Sequence, residues 1–123
     1  MKKKVVVLVV VVLAFGLKIN AQESIKNFKG TWEYVCNEAP YGYNSGSIIV
    51  GQEKDRPTVK VVYEDGSENT AESVKVKNGV LYFNMSVEDS FIKVQLQKDG
   101  TKIKGKAINN YGEELGITAV KKK

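Results

Sequence analysis

Few residues in this 123-residue chain are of a kind that does covalent chemistry. There is no histidine and one cysteine, Cys36. A thiol becomes a nucleophile only as the thiolate, which a neighbouring base stabilises, and the commonest such base is missing. Cys36 shares an alternating face with Trp32 and Tyr34, which predicts a small buried apolar side chain. No Cys-x-x-Cys, phosphate-cradling glycine loop or carboxylate pair at acid–base spacing is present. Glu113-Glu114 falls at a turn and reads as surface charge. The expectation is a non-enzyme without metal or cofactor. Residue types suited to binding are better represented. Tyr41 and Tyr43 share one loop and Tyr111 sits in another, and tyrosine combines broad contact area with a hydroxyl at low entropic cost. Four further aromatics, Trp32, Tyr34, Tyr63 and Phe83, alternate onto inward faces and are candidates to line an interior pocket, or plain core. Lys102, Lys104 and Lys106 share the outward face of one strand, with Lys93 nearby. Solvated lysines are the expectation there, an anion-binding stripe the alternative.

These residues need a scaffold, and the first 21 residues are not part of it. Lys2-Lys3-Lys4 precede an unbroken apolar run from Val5 to Phe15, and the small Ala21 precedes Gln22. That is the layout of a secretory signal peptide cut after Ala21. From Val5 to Leu17 the segment reaches roughly 20 Å as a helix, against the ~30 Å of a bilayer core, so a retained membrane span is not expected. The cysteine lies too far downstream for a lipid anchor at the cut. The expected mature chain, residues 22–123, is a single domain that is exported to the periplasm or beyond. Its leader takes four lysines and no acid with it, so the net charge of +5 falls to +1. A nucleic-acid partner on the strength of global charge is thereby excluded. With one cysteine there is no internal disulfide, and stability must come from the core.

Residues 22–123 alternate apolar and polar side chains in short runs broken by turn residues. Eight runs are legible: Gly30 to Cys36, Ser47 to Gln52, Thr58 to Tyr63, one ending at Lys77 with Val74 and Val76, Val80 to Val87, Phe91 to Gln97, Lys102 to Ile108 and Glu114 to Lys121. Asn78-Gly79 and Asp99-Gly100 are two-residue hairpin signals. The first sets Val76 opposite Leu81 and Val74 opposite Phe83. The second sets Leu96 opposite Ile103 and Val94 opposite Gly105. Both keep apolar faces together, and a slip of one residue would not. A tight turn at Asp65-Gly66 would set Tyr63 opposite Glu68, so that loop is longer or bulged, or one end of the interior is polar. The buried face among Ile48, Ile49 and Val50 stays open. The pattern predicts an all-β fold, an antiparallel up-and-down barrel of about eight strands. A two-sheet β-sandwich is the alternative.

Gly30-Thr31-Trp32 at the first strand resembles the Gly-x-Trp of lipocalins and other calycins, where the Trp plugs the closed end of the barrel. Together with Pro40-Tyr41-Gly42, the run Val76 to Phe83, Ile103-Lys104-Gly105 and the terminal Ile117 to Lys121, the chain is similar to small secreted lipocalin-like barrels of Gram-negative bacteria, most of them without an assigned function. The resemblance implies fold more than activity. Two departures stand out. The late arginine that packs on the Trp is absent, since the only arginine, Arg56, falls at a predicted hairpin loop. The long lid loop and C-terminal helix of true lipocalins are also missing, which argues against a roomy cavity.

In such a barrel alternate loops share a rim, which collects Tyr41, Tyr43 and Tyr111 at one end. The expected function is a secreted binding module that takes a small apolar molecule, glycan or peptide there. The alternatives are a periplasmic protease inhibitor, with Gln22 to Asn27 as the inserting arm, or an accessory module docking on an envelope protein.

Overall fold

A computed structural model describes residues 24–122. The expected leader and cleavage site, with residues 22, 23 and 123, lie outside these. A short 3-10 turn, Ile25–Phe28, precedes nine strands: β1 Gly30–Val35, β2 Ser45–Glu53, β3 Arg56–Tyr63, β4 Glu68–Thr70, β5 Glu72–Lys77, β6 Val80–Val87, β7 Ser90–Asp99, β8 Lys102–Ile108 and β9 Glu114–Lys121. They form one antiparallel sheet in the order β4-β3-β2-β1-β9-β8-β7-β6-β5. The single sheet excludes the sandwich. It curls into a nearly closed barrel whose seam lies where the fourth predicted strand breaks in two. β4 bonds to β3 and β5 bonds to β6, with only Ala71 between them. The Ala71 amide donates to the Val59 carbonyl (2.9 Å), and the Asn69 side-chain amide donates across the seam to the Ser86 carbonyl (2.7 Å). Nine strands rather than eight thus reflect one strand shared between two neighbours.

The alternation sorts the side chains as expected. Trp32, Tyr34, Cys36, Val59, Val61, Val76, Leu81, Phe83, Met85, Val94, Leu96, Ile103, Ala107, Ile117 and Ala119 are all buried in one core. On β2 it is Ile48 and Val50 that face inward. The described residues contain no buried polar or charged residue.

Turn chemistry sets register, and here three expectations are corrected. At Asn78-Gly79 both residues have positive φ (52° and 79°), the type I′ pattern, and Val76 does pair with Leu81. The next pair is lost. Ser73 takes a φ of 54° and a bulge between Glu72 and Lys75 removes Val74 from the register opposite Phe83. The second hairpin turns one residue later than Asp99-Gly100. Asp99 pairs with Lys102 around Gly100-Thr101, so Leu96 meets Gly105 and Val94 meets Ala107. Only Gly100 of that pair has positive φ, which suits a type II′ turn with glycine first. The shift is two residues, an even number, so every face is preserved. Third, Arg56 opens β3 rather than lying in the loop, because Lys54 and Asp55 make a two-residue turn with φ of 49° and 68° without any glycine.

The Asp65-Gly66 loop is longer than the tight turn. Gly66 N–H donates to the Tyr63 carbonyl and Tyr63 N–H to the Ser67 carbonyl, both 2.9 Å, and the register moves so that Val62 faces Glu68 and Val61 faces Asn69. Asn69 is the polar group this sends toward the interior.

Gly105 marks the tightest bend. A Cβ there would lie 1.7 Å from the Gln95 carbonyl oxygen of β7. Only a residue without a side chain lets β8 approach β7 so closely, a glycine kink of the kind that closes barrels.

Candidate functional site

The two ends of the barrel differ in how they are finished. At one end the chain enters through the 3-10 turn, whose Ile25 and Phe28 are buried beneath the strands. The Trp32 indole N–H donates to the Phe28 carbonyl (2.8 Å), which satisfies the one polar atom of the largest buried side chain. Trp32, Phe28, Leu81, Leu96, Ile103 and Val59 are each less than 2% exposed or nearly so, and they fill this end. The cation over the Trp32 ring is Lys121, with its Nζ 5.1 Å from the centroid, joined by Lys98 at 5.8 Å. Lys121 also donates to the Lys29 carbonyl (2.8 Å). Its stem crosses Gly30, where a Cβ would meet Lys121 Cε at 2.6 Å and φ is +129°. Gly30 and Trp32 are therefore one unit: the glycine leaves room for the lysine that covers the tryptophan. Trp32 belongs to this plug and not to the wall of the hollow at the other end.

At the other end the loops 36–44, 64–67, 88–89 and 109–113 gather. Beneath them lies a cavity of about 130 Å³ lined by Tyr34, Cys36, Tyr63, Phe83, Met85 and Ile117 among other apolar side chains. Three of the four interior aromatics, Tyr34, Tyr63 and Phe83, are thus brought together, and Trp32 is not.

Tyr43 forms part of the roof. Its ring meets Tyr63 edge to face (centroids 5.0 Å, 83°), its hydroxyl donates to Glu88 Oε2 (3.0 Å), and its carbonyl accepts from the Tyr34 hydroxyl (2.9 Å). Tyr63 Oη in turn accepts from Asn69 (3.1 Å). Burial, helped by the neighbouring Tyr63, Cys36 and Glu64, holds the Tyr34 phenol protonated far above its ordinary range. Burial likewise raises Tyr63, against the opposing bond from Asn69. Tyr43 is raised chiefly by its bond to Glu88. Burial also pushes the Cys36 thiol up, which leaves it an inert wall residue.

Tyr43 and Tyr63 have a second face. With Tyr41, Glu64, Asp65 and Glu88 they floor an outer basin of about 520 Å³ directly above the cavity. Asp65 accepts from both the amide (2.8 Å) and hydroxyl (2.6 Å) of Ser67, and these bonds hold its carboxyl below the usual range. Tyr41 is 95% exposed and Tyr111 84% exposed. Tyr111 rides on a loop braced by Asn109, whose side chain accepts from the amides of Tyr111 and Glu113, while Asn110 accepts from Phe91 N–H (2.8 Å). Of the three rim tyrosines, Tyr41 and Tyr43 share the basin, and Tyr111 stands on a separate loop.

Charge is divided between the ends in a way the sequence reading missed. The turns and strand ends around the mouth carry Glu38, Glu64, Asp65, Glu68, Glu88, Asp89, Glu113 and Glu114 and no lysine or arginine. Those at the plug carry Lys26, Lys29, Lys54, Arg56, Lys77, Lys98, Lys102, Lys121 and Lys122 against Glu53, Asp55 and Asp99. The signal was present in the signs of alternate turns; a net charge near zero conceals it. The lysine stripe, by contrast, is partly answered: Lys104 pairs with Asp99 and Lys106 with Glu114, both at 3.2 Å and exposed. A depression of about 650 Å³ lies on this outer sheet face between Lys104, Lys106 and Gly116. It is larger than the interior cavity but walled by solvated side chains. Among the described residues no three of the His, Cys, Asp or Glu side chains converge to hold a metal ion, and no helix is long and apolar enough to cross a membrane.

Among solved structures the chain is similar to a redesigned β-barrel at 17% identity, with a TM-score of 0.61, covering 83% of this chain and 97% of that one. A second redesigned β-barrel, mFAP1, solved bound to DFHBI, matches at 18% identity over 76% of this chain and 94% of that one, with a TM-score of 0.49. The first likeness supports the barrel fold alone. No protein-family model matches the chain, and no curated protein matches it.

Proposed function

We propose that this chain is an exported, non-catalytic binding protein of lipocalin-like build that takes a small apolar ligand through its tyrosine mouth. One observation carries the reading: the interior is packed solid at the Trp32 end and hollow at the Tyr43 end, where Tyr34, Tyr63 and Phe83 wall a cavity. Small-molecule sites are concave, mostly apolar and furnished with a few polar groups at the opening, as here. The volume sets the size of the ligand. A cavity of roughly 150 Å³ with apolar walls accepts benzene, so about 130 Å³ suits a single ring or a short alkyl chain. Glycans, which need paired hydroxyls inside the site, fit these walls poorly, though an extended partner could still lie over Tyr41 and Tyr111 on the rim.

The inhibitor alternative draws less support. Its arm would be Gln22 to Asn27, yet Ile25 is buried and belongs to the turn that plugs the barrel. Removing residues 22–26 is therefore expected to lower stability, not only a docking function. Docking of the barrel on an envelope protein would use an outer sheet face, and nothing about the cavity calls for it.

The test is a titration of the folded protein with toluene, followed by amide chemical shifts. Binding in the cavity shifts Met85, Ala107 and Ile117 and leaves Ile103 and Leu81 in place. Ala107→Leu, which fills the hollow, removes the response while the fold is kept. A wild-type protein whose mouth-end amides do not move in saturating toluene contradicts the reading.

A further inference from the structure

We propose that the ligand of this cavity is an amphipathic organic cation, whose apolar end enters the barrel and whose ammonium group rests in the acidic basin above Tyr43 and Tyr63. The inference rests on the cavity reading and adds the chemistry of the head group. Carboxylates on a surface would not by themselves make a site. What gives these meaning is that the same two rings, Tyr43 and Tyr63, are the roof of an apolar hollow and the floor of the basin that holds Glu64, Asp65 and Glu88. A molecule reaching from one space into the other must be apolar at its inner end, since the walls there are apolar and the Tyr34 and Tyr63 hydroxyls are already bonded to the Tyr43 carbonyl and Asn69. Its outer end meets tyrosine faces and carboxylates.

The field at that end has one sign. No lysine or arginine sits in the mouth turns. On the strands below, Lys60 pairs with Glu68 (3.3 Å) and Lys106 with Glu114 (3.2 Å), while the exposed Lys93, opposite Ile108, is outnumbered by the carboxylates of the mouth. The basic groups collect at the opposite pole, so the whole molecule attracts a cation toward the mouth and repels an anion from it. Tyrosine rings add the negative faces that favour ammonium groups. The carboxylates are spread around the basin, and no metal-ligating cluster forms among the described residues. That spacing suits a bulky, diffuse organic cation better than a bare metal ion.

Three probes with one tail separate the possibilities: 2-phenylethylamine, 2-phenylethanol and 3-phenylpropionate, which at neutral pH are a cation, a neutral molecule and an anion. Titration calorimetry on the mature protein at low salt is expected to rank the amine about tenfold tighter than the alcohol, and the carboxylate weakest. The spread should shrink in about 1 M salt, where screening acts over about 3 Å. The triple variant Glu64→Gln, Asp65→Asn, Glu88→Gln keeps the acceptors for Tyr43 and Ser67 and removes only charge. In it the alcohol should bind as before while the amine loses its advantage. Equal binding of amine and alcohol by the wild-type protein, or tightest binding of the carboxylate, overturns the cation and leaves the cavity standing. Failure of the alcohol and of toluene together overturns the cavity reading and the cation with it.

Discussion

The plug end and the mouth end are made by the same strands, yet one is closed by buried side chains and the other is left hollow. At the plug, Trp32, Phe28, Leu81, Leu96 and Ile103 are buried almost completely, their one polar atom is bonded, and two lysines cover the ring. At the mouth, Phe83, Met85 and Ile117 face a hollow roofed by Tyr43 and Tyr63, whose rings meet edge to face. A barrel with eight or so strands has little room to spare. Concentrating the large side chains at one end is how this one has both a dense core and a cavity. Charge follows the same axis, with the basic groups on the plug and the acidic groups around the opening.

If that division holds, equivalent truncations must cost unequal amounts. Trp32→Ala is expected to be the most damaging, about 5 kcal/mol, because it empties the best-packed site and orphans the Phe28 carbonyl. Leu81→Ala should cost about 4 kcal/mol and Met85→Ala, which borders space already empty, about 2 kcal/mol. Urea midpoints of the three variants decide it; equal losses for Leu81 and Met85 would erase the contrast. Gly105→Ala falls between them at about 3 kcal/mol, since its Cβ collides with backbone rather than a movable side chain. Lys121→Met should cost about 1 kcal/mol, read by the same unfolding curves, through loss of the cation over Trp32 and the bond to Lys29.

A pH titration sharpens the comparison from the mouth. Ordinary phenols titrate near 10.0, and burial raises Tyr34 and Tyr63 above that in the folded chain. The unfolded chain therefore gives up these protons first. The stability they contribute is complete below pH 10 and is lost as the pH climbs past it. Tyr34→Phe should flatten part of that alkaline decline and, lacking the bond to the Tyr43 carbonyl, loosen the roof. Thermal midpoints measured between neutral and strongly alkaline pH check the sign. The smallest effect belongs to Tyr111→Ala, within about 0.5 kcal/mol, because the ring touches little of the core.

Much of the fold is legible in the residues because side-chain period and turn chemistry constrain each other. Strands such as Val80–Val87, Lys102–Ile108 and Glu114–Lys121 follow directly from alternation. What escapes is anything that leaves alternation intact. The hairpin after β7 lies two residues from its expected register, and an even shift moves no side chain to another face. The bulge at Ser73 and the glycine-free turn at Lys54-Asp55 depend on backbone conformations those residue types only occasionally adopt. For the site, the rim tyrosines and the inward positions of Tyr34, Tyr63 and Phe83 are readable. Which inward aromatics border a hollow is not, because that depends on how volumes add up between strands distant in sequence. Trp32 shows this: it alternates inward like the others but is consumed by the plug. The charge axis was readable once strands were assigned, since alternate turns carry opposite signs.

A crystal of residues 22–123 under xenon pressure tests the central claim most directly, because xenon enters apolar cavities of about this size. The account predicts one strong xenon site between Phe83, Met85 and Ile117, and none beside Trp32. Xenon absent from the Tyr43 end, with side chains filling that space, would contradict it.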